Sequence, residues 1–102
     1  MEYKEKIAAV TKQFRDIVKG KYNIIEMKLF GSAARGDYSK NSDIDIMVKL
    51  SEVNREIEED LFNIAYDLEL QYDCLIDVVV LPVNLSGNIA IYSNIEKEGI
   101  EI

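Results

Sequence analysis

The residues of this chain best suited to chemistry are two aspartates, Asp43 and Asp45, separated by one isoleucine in the segment SDIDIMVKL (42–50). Apolar and polar residues alternate in this segment, which predicts a strand with both aspartates on one face. Two adjacent carboxylates repel each other unless a cation lies between them. Carboxylate oxygens are hard ligands that suit Mg²⁺, which also takes waters and substrate phosphate oxygens.

A third aspartate, Asp77, lies within the β-branched segment CLIDVVVL (74–81), which predicts another strand. If this strand pairs beside residues 42–50, Asp77 joins the same face of the sheet. Three carboxylates could then hold two Mg²⁺ ions, which clamp the attacking and leaving oxygens of a phosphoryl displacement. Two simpler interpretations remain open. Asp43 and Asp45 could form a solvent-facing strand edge, and Asp77 could be a surface residue or a cap.

A candidate phosphate site lies upstream, where Gly31 and Ser32 follow the apolar run IIEMKLF (24–30) and precede Ala-Ala-Arg. This order is typical of a strand that turns into a helix. Glycine permits close approach to the backbone, and the first N–H groups of a helix are free to bind a phosphate. The Ser32 hydroxyl adds a donor, and Arg35 is near enough in sequence to add positive charge. A Gly-Ser turn with a purely structural role is the alternative.

Length and composition exclude several classes of function. The chain has 102 residues, no histidine, one cysteine and a formal net charge of −7. The length predicts one domain, residues 1–102. Without histidine, Ser-His triads and histidine-containing zinc sites are excluded, so any catalysis must rely on carboxylates. The acidic charge argues against broad nucleic-acid binding, and no apolar run is long enough to span a membrane. The single Cys74 and the charged N-terminus favour a cytoplasmic protein.

The elements that position these residues are predicted in the order α-β-β-α-β-α. The first helix ends at Gly20, the second has Ser51 as its N-cap, and the third runs from about residue 87 to residue 98 with Gly99 as its C′ residue. The predicted strands cover residues 24–30, 42–50 and 74–81. Together they predict an α/β (α+β) fold. Its small mixed sheet has helices packed mainly on one face, and the other face is at least partly open.

The segment GSAARGDYSKNSDIDIMV (31–48) resembles the signature of the DNA polymerase β-type nucleotidyltransferases, Gly-Ser-x10-Asp-x-Asp. The resemblance covers nearly the whole chain and is to the short single-domain form, the minimal nucleotidyltransferase. It implies the nucleotidyltransferase fold. Many members carry a basic residue directly after Gly-Ser, where this chain has Ala33.

The resemblance also implies a role for each candidate residue. Gly31 and Ser32 match the residues that hold nucleotide phosphates in the family. Asp43 and Asp45 match the two metal-binding aspartates. Asp77 matches the third carboxylate, which completes the metal site and helps to activate the acceptor hydroxyl.

A partner protein is implied in the same way. Stand-alone minimal members are typically encoded with a small helical HEPN protein, and several such pairs behave as toxin and antitoxin. The implied function is a Mg²⁺-dependent transfer of AMP from ATP to a hydroxyl of a HEPN-type ribonuclease toxin, for which the chain is the antitoxin. One alternative is an antitoxin that neutralises its partner by binding only, but three clustered carboxylates favour the enzyme. The other is a nucleotidyltransferase acting on a small molecule or nucleic acid, against which the acidic charge speaks.

Overall fold

The computed structural model describes residues 2–39, 42–83, 95 and 97–102. These residues form, in chain order, α1 (Tyr3–Lys21), β1 (Ile24–Phe30), α2 (Gly31–Arg35), β2 (Ile44–Leu50), α3 (Arg55–Tyr72), β3 (Ile76–Pro82) and β4 (Ile100–Glu101). The strands make one sheet in the order β3-β2-β1-β4. β1 is antiparallel to β2 and β4, and β2 is parallel to β3, so the sheet is mixed as predicted. None of the helices in the described part of the chain is long and apolar enough to cross a membrane.

The main core lies between one face of the sheet and the long helices α1 and α3. Alternation along β2 directs every second residue to this face. The helix α1 ends at Lys21, one residue past the end predicted at Gly20. Each long helix contributes one apolar face to this core. The most deeply buried members are Val10, Phe14 and Val18 from α1, Ile44, Ile46, Val48 and Leu50 from β2, and Leu61 and Leu68 from α3.

The start of α3 differs from the prediction. The sequence indicated Ser51 as the N-cap, but the cap is Asn54, whose side chain accepts a hydrogen bond from the Ile57 backbone N–H at 2.9 Å. Serine and asparagine are both good N-caps, so residue type alone could not choose between them. Ser51 still follows the sheet, because its backbone N–H donates to the carbonyl of Asn23 at 3.4 Å. The chain therefore leaves the sheet too late for a helix to begin at Ser51.

The C-terminal segment also differs from the prediction. Most of the expected helix at residues 87–98 lies outside the described residues, although Ile95, Lys97 and Glu98 are helical. Gly99 is not a left-handed C′ residue, since its φ is not positive. A side chain there would collide with the Ile95 carbonyl and with Lys28, so the position requires a small residue. The chain then enters β4, a strand too short to show an alternating pattern in the sequence.

The opposite face of the sheet is covered in part. Met47 is fully buried there with Leu81 and Ile95, and Phe30 and Val79 pack against this cluster. Ile95 belongs to the chain between β3 and β4, which lie at opposite edges of the sheet. The middle of this face is therefore closed around Met47, whereas Asp43 and Asp77 at one end of the sheet are exposed.

Candidate active site

The register of the sheet places two of the three candidate carboxylates side by side. β2 and β3 run parallel, and Asp45 is directly opposite Asp77. Opposed residues of neighbouring strands point to the same face, here the one opposite the main core. Asp77 is exposed, Asp45 is half-buried, and the exposed Asp43 immediately precedes β2. The strand that carries Asp77 therefore does pair beside the strand that carries Asp45, which is the condition for a shared acidic face of the sheet.

Asp45 is the carboxylate most affected by its surroundings. Burial, and then the negative charges of Asp77 and Asp43, raise the pKa of Asp45 from 3.8 to about 6, while the charge of Arg35 lowers it. Both neighbouring carboxylates are thus close enough for their charges to act on Asp45. A cation bound among these groups would relieve the repulsion and favour the ionised carboxylate.

The Gly-Ser turn lies directly against this carboxylate. Phe30, the last residue of β1, is opposite Asp45, so the turn into α2 passes beside it. Gly31 has a φ of +68°, and a Cβ at this position would collide with the Asp45 carboxylate. Ser32 is half-buried in α2, and its backbone carbonyl accepts a hydrogen bond from the Gly36 N–H at 2.9 Å. The fold therefore brings the candidate phosphate turn and the candidate metal ligands together.

Arg35 ends α2 and is held by two carboxylates. Its Nε lies 3.2 Å from Asp37 Oδ2, and its Nη1 lies 3.1 Å from Glu98 Oε2. These carboxylates are the reason that the pKa of Arg35 is raised. All three side chains are exposed, and ion pairs of this kind are weak in water. Arg35 can therefore exchange a carboxylate for a phosphate at little cost, and its role in nucleotide binding stays a prediction.

The donor set fits a hard divalent cation in its chemistry. Asp43, Asp45 and Asp77 supply three carboxylates, and the ionised form of Asp45 is disfavoured in the absence of a cation. Within the residues that the structure describes, however, no three acidic or cysteine side chains are gathered tightly enough to hold a metal ion. A site for two Mg²⁺ ions at Asp43, Asp45 and Asp77 thus stays a prediction.

Tyr3, the first residue of α1, contacts the site. Its hydroxyl donates to the backbone carbonyl of Ser42, the residue before Asp43, and its ring lies 5.3 Å from that of Tyr38. Burial is the main reason that the pKa of Tyr3 is raised, and the charges of Asp43 and Asp45 add to it. Nothing in the sequence indicates this contact, because 39 positions separate the hydrogen-bonded residues.

Tyr3→Phe is expected to weaken Mg-ATP binding severalfold, because it releases the backbone that leads into Asp43. The matched control is Tyr72→Phe, which removes a hydrogen bond of 2.7 Å to Gln13 between α1 and α3. Each change should lower the free energy of unfolding by about 1 kcal/mol. Calorimetric titration with Mg-ATP separates the two variants, and equal affinities in both would rule out a positioning role for Tyr3.

Asp45→Asn is expected to stabilise the metal-free protein at neutral pH. The pKa of Asp45 in the fold, about 6, lies above its ordinary 3.8, so folding penalises the ionised form. The penalty is absent below pH 3.8, grows up to about pH 6 and is complete above it. A shift of this size corresponds to about 3 kcal/mol for a buried group, and to about 1 kcal/mol after discounting for the partial exposure of Asp45.

The measurement is thermal unfolding with a chelator at about pH 7.5 and about pH 3, values on either side of the titration. The stabilisation should be present at the higher pH and vanish at the lower one. Asp16→Asn, an exposed change on α1, is the control. A gain of the same size at both pH values would contradict the assigned cause.

A family model, similar sequences and similar solved structures all relate this chain to nucleotidyltransferases. Residues 11–102 match the family model described as "Nucleotidyltransferase domain". Two proteins of Methanocaldococcus jannaschii, both named "Putative protein adenylyltransferase", are similar to this chain. One is 30% identical over 103 residues and covers 100% of both chains. The other is 31% identical over 101 residues and covers 99% of this chain and 94% of the relative.

Two solved structures share the fold. One, named "Structure of putative minimal nucleotidyltransferase", has a TM-score of 0.70 at 20% identity and covers 97% of this chain and 95% of its own. The other, a toxin-antitoxin crystal structure with AMP-PNP, has a TM-score of 0.68 at 24% identity. The match covers 91% of this chain and 69% of the other chain. At these identities the matches establish the fold.

Proposed function

Because the chain belongs to the nucleotidyltransferase domain family, we propose that it transfers AMP from ATP to a hydroxyl of a partner protein with Mg²⁺ as cofactor. The observation that carries the proposal is the arrangement around Asp45, which is in register with Asp77 and lies against the turn at Gly31. This arrangement combines carboxylates that can bind a metal ion with a turn whose backbone a phosphate can approach closely. The two similar proteins of Methanocaldococcus jannaschii carry the name "Putative protein adenylyltransferase", which supports a protein as the acceptor.

The candidate residues divide into two groups by chemistry. Gly31 and Ser32 hold the phosphates of ATP, and Arg35 adds positive charge. The second group, Asp43, Asp45 and Asp77, would hold Mg²⁺. When bound, Mg²⁺ neutralises phosphate charge that the acidic protein otherwise repels. The acidic chain, with a formal net charge of −7, needs such local devices to bind a nucleotide.

In the proposed reaction the acceptor oxygen attacks the α-phosphorus of ATP. A new oxygen–phosphorus bond forms, the bond to the β,γ-phosphates breaks, and pyrophosphate leaves. The hydroxyl proton passes to Asp77, which acts as general base because the chain has no histidine. Asp77 suits this role because it is exposed on the edge strand β3, where a second protein can reach it, whereas Asp45 faces Gly31.

The proposed acceptor is a small helical HEPN-type ribonuclease, for which this chain is the antitoxin in the cytoplasm. The family resemblance of residues 31–48 supports this partner. A toxin-antitoxin structure with AMP-PNP shares the fold, which supports the same context for this chain. Transfer requires an acceptor hydroxyl in line with the leaving pyrophosphate, and such positioning accounts for several orders of magnitude in rate. We therefore expect little transfer to water or to free small molecules.

The test is the intact mass of the protein encoded beside this chain, after incubation with the chain and Mg-ATP. The partner is expected to gain one or more AMP units. Asp77→Asn should block the gain while the complex still forms, because the edge of β3 keeps its shape. If the wild-type reaction gives no mass change and Asp77→Asn neutralises the partner fully at equal dose, the chain is a binding-only antitoxin.

A further inference from the structure

The outer face of α3 carries an apolar stripe that is largely exposed in the described part of the chain. Phe62, Tyr66 and Leu70 follow each other at intervals of four residues and are 47%, 58% and 67% exposed. This spacing places their side chains in one row along the helix. The opposite face of α3 already packs into the core through Leu61 and Leu68. A continuous exposed apolar row of this kind is typical of an interaction surface.

A groove of about 500 Å³ runs beside this stripe, between α3 and the edge strand β3. Phe62 and Tyr66 line it from the helix, and Ile76, Asp77 and Val78 line it from the strand. The stripe and the acidic site therefore share a boundary at Asp77. A protein seated in the groove would lie next to the residue that we propose as general base.

Charge decides what kind of occupant suits this surface. α3 carries six acidic residues and one basic residue, Arg55. Arg55 is paired with Glu59 at 3.1 Å, and Asp60 is paired with Lys21 of α1 at 2.8 Å, so two of the six acidic residues add little to the surface charge. The other four keep this helix negative. A second copy of this chain would bring an equally acidic helix to the surface and be repelled. A basic occupant would instead be attracted. The acidic residues of α3 are Glu56, Glu58, Glu59, Asp60, Asp67 and Glu69.

We propose that the α3 docking surface, defined as Phe62, Tyr66, Leu70 and the groove beside β3, binds an amphipathic helix of the partner protein. That helix has an apolar row that covers the stripe and basic side chains on its flanks, the common helix-in-groove mode of recognition. The inference rests on the proposed function for its purpose, because a partner docked here lies at the sheet edge that carries Asp77 and can reach around that edge to the acidic face.

A synthetic helical peptide tests the surface without knowledge of the partner. The probe is a fluorescent peptide of leucines along one face and lysines elsewhere, and its control has glutamates in place of the lysines. The lysine peptide should bind at least about tenfold more tightly than the glutamate peptide. Phe62→Gln with Leu70→Gln should weaken lysine-peptide binding by about tenfold or more, since the change removes two of the three apolar side chains that the peptide would cover.

The matched control is Ile25→Gln, which removes an apolar residue of similar exposure, 48%, from β1. Ile25→Gln should leave the affinity for the lysine peptide within about twofold, because Ile25 lies outside the α3 docking surface. Glutamine is as good a helix former as leucine, so the α3 variants should keep the circular dichroism of the wild type. Tyr66→Gln alone is a further variant if the double change unfolds α3.

Three outcomes would overturn the inference. The first is a lysine peptide that does not bind, and the second is one that binds the stripe variants as well as the wild type. The third is a concentration-dependent dimer of this chain that the double variant abolishes, which would assign the surface to a second copy.

Failure of the proposed function can be told apart from failure of this inference. The double variant should retain wild-type affinity for Mg-ATP but lose AMP transfer to the protein encoded beside the chain. If peptide binding depends on the stripe and no transfer to any partner is seen, the docking surface stands and the adenylylation proposal fails. If the double variant transfers AMP as well as the wild type, adenylylation stands and the docking surface is wrong.

Discussion

Asp45→Asn is expected to lower AMP transfer to the partner by about a thousandfold, although the same change stabilises the metal-free fold. Asp45 lies against Gly31, is opposite Asp77 and carries a raised pKa caused first by burial and then by neighbouring carboxylates. A residue that destabilises the fold in its ionised form is best explained by its role in the site. Asparagine has the same shape but lacks the negative charge that binds the cation.

The rate is measured as AMP incorporated into the partner from labelled ATP, and Mg-ATP affinity is measured by calorimetry. Asp43→Asn should reduce both quantities as well, whereas Asp16→Asn on the outside of α1 should change neither. Unchanged Mg-ATP binding in Asp45→Asn would mean that the carboxylates are misassigned. Retained transfer with weakened binding would show that Asp45 holds the nucleotide without taking part in the chemistry.

Gly31→Ala is expected to damage both stability and nucleotide binding, with a loss of Mg-ATP affinity of more than about tenfold. Two separate penalties act at this position. The φ of +68° is unfavourable for any residue with a Cβ, and the added Cβ collides with the Asp45 carboxylate. The carboxylate must move away from the turn, which separates the two parts of the proposed site. Gly31→Val should be more harmful still, whereas Ser32→Ala, which removes only a hydroxyl, should weaken binding modestly.

Two other glycines separate these penalties. Gly36 has a φ of +83° but open space around it, so Gly36→Ala should cost about 1 kcal/mol of stability and leave Mg-ATP affinity unchanged. Gly20 lies in α1 with open space and without a positive φ, so Gly20→Ala should stabilise the protein by roughly 0.5–1 kcal/mol. Mg-ATP binding that is equally weak in Gly31→Ala and Gly36→Ala would show that backbone strain, and not contact with Asp45, explains the first result.

The sequence by itself determined the main strands and long helices and the types of side chain available for chemistry, although it misplaced the N-cap of α3 and the conformation of Gly99. The alternation of residues 44–50 placed the isoleucines in the core and Asp45 on the other face, because successive side chains of a strand point in opposite directions. The absence of histidine removed the commonest general base and left the carboxylates as the main candidates at neutral pH. The Gly-Ser pair after an apolar run indicated the turn into α2, which the structure confirms.

Only the tertiary structure decided which of these residues meet. Asp77 is opposite Asp45 because β3 pairs with β2 in one particular register, and a slip of one residue would turn Asp77 towards the core. That register depends on the packing of the whole sheet against α1 and α3, which no local pattern records. The contact of Gly31 with Asp45 and the hydrogen bond from Tyr3 to Ser42 arise in the same way. Each of these contacts joins groups far apart in the chain, so it can form and stabilise the site only after the core has brought those groups together.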